Sequence, residues 1–147
     1  MFYHFKIHKE SNGYWAECIE LEGCHAQGDT ISELEADMEE SLNLFLSEPM
    51  DSKHQFPFPS VDKKLVLKKN VKRVAVDSSV AFAMLMRQTR LKHRLTLRRM
   101  ADILEYKNLN TYVKLEKAKT SNPELRTLQN IKNHFSDFPL DLLFDGK

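Results

Sequence analysis

Within the first 46 residues the apolar pattern changes period from two to about 3.6, and this change admits few folds. Over FYHFKIH, residues 2–8, Tyr3, Phe5 and Ile7 alternate with Phe2, His4, Lys6 and His8, which is the spacing of a strand. Asn12-Gly13 is a strong two-residue turn signal, and Tyr14 to Ile19 supplies a second aromatic and β-branched run. Together they predict an antiparallel hairpin. Gly23 interrupts the pattern, and Cys24 to Gln27 is expected to add a short third strand ending at Gly28. Thr30 and Glu33 then have the spacing of a capping box, in which each side chain satisfies a free backbone donor at the start of a helix. The helix should begin near Ile31 and bury Ile31, Leu34, Met38, Leu42 and Phe45, leaving Glu33, Glu35, Asp37, Glu39 and Glu40 on its more exposed sides. The expectation is an α+β domain, an antiparallel sheet carrying one helix.

Pro49, Pro57 and Pro59 prevent a regular element over 47–62, so this stretch is read as a connection of restricted flexibility. Val71 to Val76 is the strand expected to close the sheet, with Leu65 to Leu67 a weaker β-prone run. From Ser78 onward the pattern is helical. Asp77 or Ser78 can cap a first helix carrying Val80, Ala83, Met84 and Leu91, so rich in apolar residues that part of it is expected to bury in a dimer. Thr96 can cap a second helix with Leu97, Met100, Ala101 and Leu104 as its core stripe. Asn108 can cap a short third helix that turns Leu109, Tyr112 and Leu115 inward. Asn122 and Pro123 are expected to start a fourth, with Leu125, Leu128, Ile131 and Phe135, and Pro139 to Phe144 to add a final turn. The chain therefore divides into residues 1–76 and an all-α domain over 77–147.

The net charge of +1 conceals a segregation. Residues 1–52 hold two basic side chains against twelve acidic ones, a net of −10, and residues 12–46 hold nine acids and no lysine or arginine. Residues 87–119 hold ten basic side chains against three acidic ones, a net of +7. An acidic module repels nucleic acid and attracts basic proteins, whereas a compact basic one suits phosphate backbones. A length of 147 residues and a hydrophobic content of 41% suffice for folded cores. The two cysteines, Cys18 and Cys24, are too few for a disulfide framework. No N-terminal apolar segment resembles a signal peptide and no apolar run approaches roughly 20 residues, so the expected compartment is the cytoplasm.

Two short helices joined by a tight connection, the second bearing basic and amide side chains, have what a helix-turn-helix needs to enter a major groove. Asn110 and Lys114 are the candidate base readers, because asparagine can pair with adenine and lysine with guanine. Arg98, Arg99, Lys117 and Lys119 suit phosphates, and Asn108 and Thr111 complete the polar face. The plainer alternative is a helical domain with a solvated basic face.

Residues 95–144, LTLRRMADILEYKNLNTYVKLEKAKTSNPELRTLQNIKNHFSDFPLDLLF, resemble the helix-turn-helix of the Xre/Cro repressor type through Thr96, Ala101, Leu104, Thr111, Leu115, Glu116, Asn122, Pro123, Thr127 and Leu128. Three departures stand out: Glu105 replaces the usual glycine after the second helix, the turn is one residue longer, and Arg98-Arg99 replaces a Gln-Glu-like pair. The opening stretch, GYWAECIELEGCHAQGDTISELEADMEESLNLFL, is similar to the HicB antitoxin signature through Gly13, Tyr14, Leu21, Gly23, Cys24, Gln27, Gly28, Asp29 and Thr30. The resemblance extends over residues 1–76. It implies a partial ribonuclease-H-like fold that silences a small basic HicA-like ribonuclease toxin, while the C-terminal domain represses the operon by binding operator DNA. Such repressors bind paired half-sites as dimers, so a homodimer or higher homo-oligomer is expected. An acidic face fits a basic RNA-cleaving partner, because it competes for the surface used for phosphates and speeds encounter. Glu20, Glu22, Glu33, Asp37 and Glu40 are the candidate toxin contacts, with Tyr14 and Trp15 placed in the sheet core instead.

Other chemistries draw less support. Cys18, Cys24 and His25, with His4 or His8, could be imagined as a zinc site, but no C-x-x-C is present and His25 should point away from Cys24 on a strand. Glu17, Glu20, Glu22 and Asp29 could be imagined as a metal-dependent nuclease cluster, yet their spacing supports nothing particular. No Gly-rich phosphate loop or nucleophile motif occurs, so no enzyme activity, metal or cofactor is expected. A transcriptional repressor that senses a small ligand, with no toxin partner, is the competing reading.

Overall fold

The computed structural model describes residues 1–49, 51–60 and 68–144. Two compact units divide the chain, Met1–Leu46 with Phe56–Val76, and Ser47–Gln55 with Asp77–Lys147. The β-prone run Leu65 to Leu67 lies outside the described residues.

In the first unit, β1 (Phe2–Glu10), β2 (Gly13–Cys18), β3 (His25–Gly28) and β4 (Val71–Ala75) form a four-stranded sheet in the order β3-β2-β1-β4, with every neighbouring pair antiparallel. The architecture is α+β. Lys9 opposite Tyr14 and Glu10 opposite Gly13 close the hairpin around Ser11-Asn12, one residue earlier than the sequence suggested, and Gly13 opens β2 with φ of 126°. Helix α1 (Ile31–Leu46) packs across β2, β3 and β4 and buries Leu34, Met38, Leu42 and Leu46 toward Tyr3, Phe5, Ala16 and Ala26. Full burial of each such leucine or methionine contributes about 1.5–3 kcal/mol. The stripe differs from the expected one at both ends. Ile31 is exposed in the first turn and Leu46 is buried, because a helix with 3.6 residues per turn returns to the sheet at intervals of four from Leu34.

The start of α1 is closed reciprocally. Thr30 Oγ1 accepts from the Glu33 N–H at 3.2 Å, while Glu33 Oε2 accepts from the N–H groups of Asp29 and Thr30 at 2.9 and 3.2 Å. Such a tight strand-to-helix junction requires glycine at Gly28, where a Cβ would stand 2.4 Å from the Leu34 nitrogen. The proline-bearing segment is anchored as well: Phe56 is buried at 5.6 Å from Phe45, and the Tyr3 hydroxyl donates to the Pro57 carbonyl at 2.8 Å.

The second unit contains α2 (Ser78–Lys92), α3 (Leu97–Ile103), α4 (Leu109–Val113) and α5 (Leu125–His134), with 3-10 turns at Lys114–Glu116 and Leu140–Leu143. Every residue of α2 from Val80 to Arg90 is buried within the single chain, so its apolar richness needs no second copy to explain it. Met100, Ala101, Leu104, Tyr112, Ile131, Phe135 and Phe138 are also buried, with Phe138 edge-on to Phe82 at 6.1 Å. Thr96 caps α3 by accepting from the Arg99 N–H at 3.1 Å, and Asn108 caps α4 by accepting from the Asn110 N–H at 2.8 Å. Helix α5 starts later than expected. Asn122 and Pro123 precede an extended Glu124 (φ −73°, ψ 158°), and the first helical bond runs from the Leu128 N–H to the Glu124 carbonyl; Glu124 takes the N-cap place, where the backbone is still extended while the carbonyl already accepts the first helical bond. Among the described residues, no helix is long and apolar enough to cross a membrane.

Helices α2 and α3 both end in a left-handed residue that is not glycine, Arg94 (φ 55°) and Glu105 (φ 62°). In each case two crossed bonds satisfy the last carbonyls: Arg94 N–H to Leu91 and Leu95 N–H to Arg90, then Glu105 N–H to Asp102 and Tyr106 N–H to Ala101. The left-handed conformation costs a residue with a Cβ about 1–2 kcal/mol. Glu105→Gly is therefore expected to raise the stability of the second unit by about 1 kcal/mol, read from far-UV circular dichroism melts. In the first unit, Gly28→Ala should lower stability by about 1–3 kcal/mol through the overpacked junction, seen as an earlier denaturant midpoint in the fluorescence of Trp15, the chain's single tryptophan.

Candidate nucleic-acid interface and acidic cleft

The two surfaces singled out by charge lie in different units. In the second unit, α3 and α4 are joined by residues 104–108, and α4 runs on into the 3-10 turn. All eight residues proposed for nucleic-acid contact, Arg98, Arg99, Asn108, Asn110, Thr111, Lys114, Lys117 and Lys119, are exposed. Two of them are already engaged. Arg98 Nε lies 3.1 Å from Asp102, and Asn108 spends its side-chain oxygen on the α4 cap, leaving only its amide hydrogens to meet a phosphate. Asn110, Thr111, Lys114 and Lys117, spaced along α4 and the turn, form the polar face proper.

A buried ionic network aims that face. Glu116 accepts from Arg90 Nε at 2.7 Å and from Arg90 Nη2 at 2.9 Å, a bidentate pair with side-chain exposures of 8% for Arg90 and none for Glu116. The Tyr112 hydroxyl donates to the same carboxylate, and Arg90 Nη1 reaches the Leu95 carbonyl at 3.2 Å. Burial, and then the neighbouring Glu116 carboxylate, push the Tyr112 phenol well above its ordinary range, so it stays a neutral donor. One charge cluster thus joins the end of α2, the connection into α3, and α4 with its turn. Arg90 was counted above among the cations of a basic surface, as was Arg87, and both are buried; eight rather than ten of those side chains remain outside. The signal that could have found this was an arginine two residues before the end of α2, following the apolar run from Val80 to Met86, together with a glutamate three residues after tyrosine-valine on an otherwise inward stripe.

The five acids proposed to meet a basic partner divide into structural and free groups. Glu20 is turned inward, with its side chain 7% exposed: it accepts from the His4 N–H at 3.0 Å, meets His4 Nδ1 at 2.6 Å, and accepts from the Ser60 N–H at 3.0 Å. It organises the first unit instead of facing a partner, because a buried carboxylate must be hydrogen-bonded. Glu33 is occupied by the α1 cap, and Asp37 accepts from the Gln27 N–H at 2.8 Å on β3. Glu22 and Glu40 are exposed, and among the described residues their side chains make no hydrogen bond or ion pair. Glu35, by contrast, pairs with Lys72.

Sequence reasoning missed a cleft at the hairpin end. Glu10, Asn12, Tyr14, Trp15, Gln27, Gly28, Asp29 and Glu33 line an open space of about 580 Å³ with no basic side chain in its wall. Trp15 is not sheet core. The register sets it opposite His8 and Gln27 on the face away from α1, where it stacks on His8 at 4.1 Å and stands edge-on to His25 at 6.4 Å.

The imagined metal sites separate in space. Cys18 and Cys24 are buried across from each other at the end of the β2–β3 ladder, with the Cys18 N–H bonded to the Cys24 carbonyl at 2.9 Å, while His25 is exposed. The hydrogen bond to Cys24, and then burial, push the Cys18 thiol up, away from the thiolate a metal needs. Glu17 meets His8 at 3.0 Å, Glu20 lies inside, and Glu22 and Asp29 are on separate turns. Among the described residues no group of three or more His, Cys, Asp or Glu side chains could hold a metal ion.

Glu116→Gln should leave the Arg90 charge buried without its counter-ion and cost about 3–5 kcal/mol. Thermal melts by circular dichroism should show the loss, with a smaller effect on the Trp15 fluorescence transition.

No protein-family profile matches the chain. The UPF0150 protein ssl0738 of Synechocystis sp. is 30% identical over 59 residues, which span 40% of this chain and 82% of that protein. The UPF0150 protein ssr1765 of the same organism is 42% identical over 50 residues, 34% of this chain, and the match spans 61% of its length. A solved structure described as a HicA3 and HicB3 toxin-antitoxin complex aligns with 52% of this chain and 99% of that chain, at 22% identity and a TM-score of 0.41.

Proposed function

The chain belongs to the UPF0150 family, and on that premise we propose that it is a HicB-type antitoxin that silences a small basic ribonuclease toxin and represses its own operon through a C-terminal helix-turn-helix. The observation that carries the proposal is the joining, in one chain, of a sheet-and-helix unit free of basic residues over 12–46 to a capped helix pair whose outer face is amide and cationic. Neither partner can take the other's place. The acidic surface over 12–46 repels nucleic acid and draws in a basic protein, and the cationic face of α4 does the reverse.

On the toxin side, the free carboxylates Glu22 and Glu40 and the cleft acids Glu10 and Asp29 replace Glu20 as the contact set. Charges left without internal partners steer encounter, and rim charges act mainly on association rate and salt dependence. On the DNA side, Asn110 and Lys114 read base edges from α4, while Arg99, Lys117 and Lys119 neutralise phosphates.

The test uses the tagged full chain in the native host's lysate, beside a Glu22→Lys, Asp29→Lys, Glu40→Lys variant. The expected outcome is recovery of one small basic protein that is toxic when expressed alone and is lost with the variant. In gel shifts with the DNA upstream of its own gene, Lys114→Ala or Asn110→Ala should weaken binding roughly 10- to 100-fold. An operator shift that answers to a small molecule, with no protein partner recovered while the toxin gene is expressed, would sink the antitoxin reading in favour of a ligand-sensing repressor.

A further inference from the structure

We propose that Cys18 and Cys24 form a reversible dithiol–disulfide site, oxidised by exchange with low-molecular-weight disulfides, that clamps the turn between β2 and β3. The register sets Ala16 opposite Ala26 and Glu17 opposite His25. One step further it sets Cys18 opposite Cys24, where the Cys18 N–H bonds the Cys24 carbonyl at 2.9 Å. Side chains alternate along a strand, so both cysteines lie on the face where Ala16 and Ala26 are buried. Opposite residues joined by a ladder bond have Cα atoms about 5.5 Å apart, within the roughly 4.4–6.8 Å that a disulfide spans. The two sulfurs are already hydrogen-bonded to each other.

The pair is polarised. Cys18 donates its S–H to the Cys24 sulfur, a bond that lowers the Cys24 thiol, so Cys24 is the group that gives up its proton and attacks. Its thiolate attacks one sulfur of a small disulfide such as oxidised glutathione, leaving a mixed disulfide on Cys24 and releasing one small thiol, which takes the proton Cys24 gave up. Cys18 then attacks the Cys24 sulfur and displaces the second small thiol, which leaves with the Cys18 proton; the Glu20 carboxylate, 3.7 Å from the Cys18 sulfur, is placed to relay it. Two protein thiols become one disulfide, and the small disulfide is reduced to two thiols. Cys18 and Cys24 are only 6% and 1% exposed, so attack follows local opening. The site is built for that: β3 has four residues and stands at the rim of the sheet, and the turn before it is held by the Cys24 N–H bond to the Leu21 carbonyl at 3.1 Å. In a reducing compartment the pair rests as the dithiol and oxidises only transiently. The turn carries the exposed Glu22, so on the antitoxin reading oxidation fixes the place of one toxin contact; the disulfide itself does not rest on that reading.

The test is to incubate the full chain, without toxin or DNA, in glutathione buffers of stepped reduced-to-oxidised ratio, quench with acid, alkylate the remaining thiols and read the intact mass. Cys18 and Cys24 are the chain's two cysteines, so each mass has one interpretation. The wild type should pass from two alkylated thiols to none, without a lasting glutathione adduct or a covalent dimer, and should return when reduced glutathione is added. Trp15 fluorescence should stay native throughout. Cys18→Ser should accumulate one glutathione per chain, because the resolving sulfur is gone, and Cys24→Ser should do so roughly 10-fold more slowly. A wild type that keeps both thiols while native and loses them only when unfolded overturns the proposal. So does a wild type that stops at the glutathione adduct, or oxidation whose rate climbs with denaturant in step with global unfolding. Faster reaction of Cys24→Ser than of Cys18→Ser would overturn the assignment of Cys24 as the attacking sulfur. The wild-type result decides by itself if either variant fails to fold, and because mass is read alone, the absence of a toxin partner would count against the antitoxin reading and leave this test standing.

Discussion

Glu116 is a carboxylate with no solvent exposure, and the geometry of the second unit hangs on what it holds. It grips the guanidinium of Arg90 with both oxygens and takes the phenol of Tyr112. Moving these charges out of water is costly, and the desolvation is offset only if every polar atom finds a partner in good geometry. That requirement converts into orientation. Tyr112 lies within α4, Glu116 in the turn that continues it, and Arg90 in the last turn of α2, so the network sets the rotation of α4 about its axis. Side chains at Asn110, Thr111 and Lys114 consequently have nowhere to go but outward. A hydrophobic contact of the same size would tolerate slippage; a bidentate ion pair with a third hydrogen bond does not.

The first unit shows the opposite use of acids. Glu20, Glu33 and Asp37 each accept from backbone donors, at His4 on β1 and at Ser60, at the start of α1, and along β3. Only when these are set aside does the surface charge become a property available to a partner. A sequence count of nine acids between residues 12 and 46 therefore overstates the interaction surface while understating how much of that acidity is structural.

What was legible in the chain was local. The period change, the Asn12-Gly13 turn and the Thr30-Glu33 box place the hairpin and α1, because each depends on residues within about four positions of one another. The caps at Thr96 and Asn108 were equally legible, and Glu105 stood out as the residue in place of the usual glycine after the second helix. The misses are long-range. Glu20 reads like any other surface glutamate until the fold sets it beside His4, sixteen residues earlier, and Ser60, forty residues later. Arg90 and Glu116 are separated by 26 residues. Trp15 was assigned to the core on residue type alone, whereas the register puts it on the open face. Pro123 was read as the first helical residue, although the extended Glu124 after it delays α5 by two positions.

The hydrogen bond from the Gln27 N–H to Asp37 also bears on how this protein behaves at high concentration. Strand β3 is one rim of the sheet, and an uncovered rim of N–H and C=O groups is a template on which further strands can add. Here a negatively charged side chain from the following helix has already claimed an outward donor. At the opposite rim, β4 carries Lys72 and Arg73, which an incoming strand would have to desolvate. The sheet is thus guarded at both ends against open-ended stacking, and at high concentration a second chain meets a charged side chain at either rim before a strand can add.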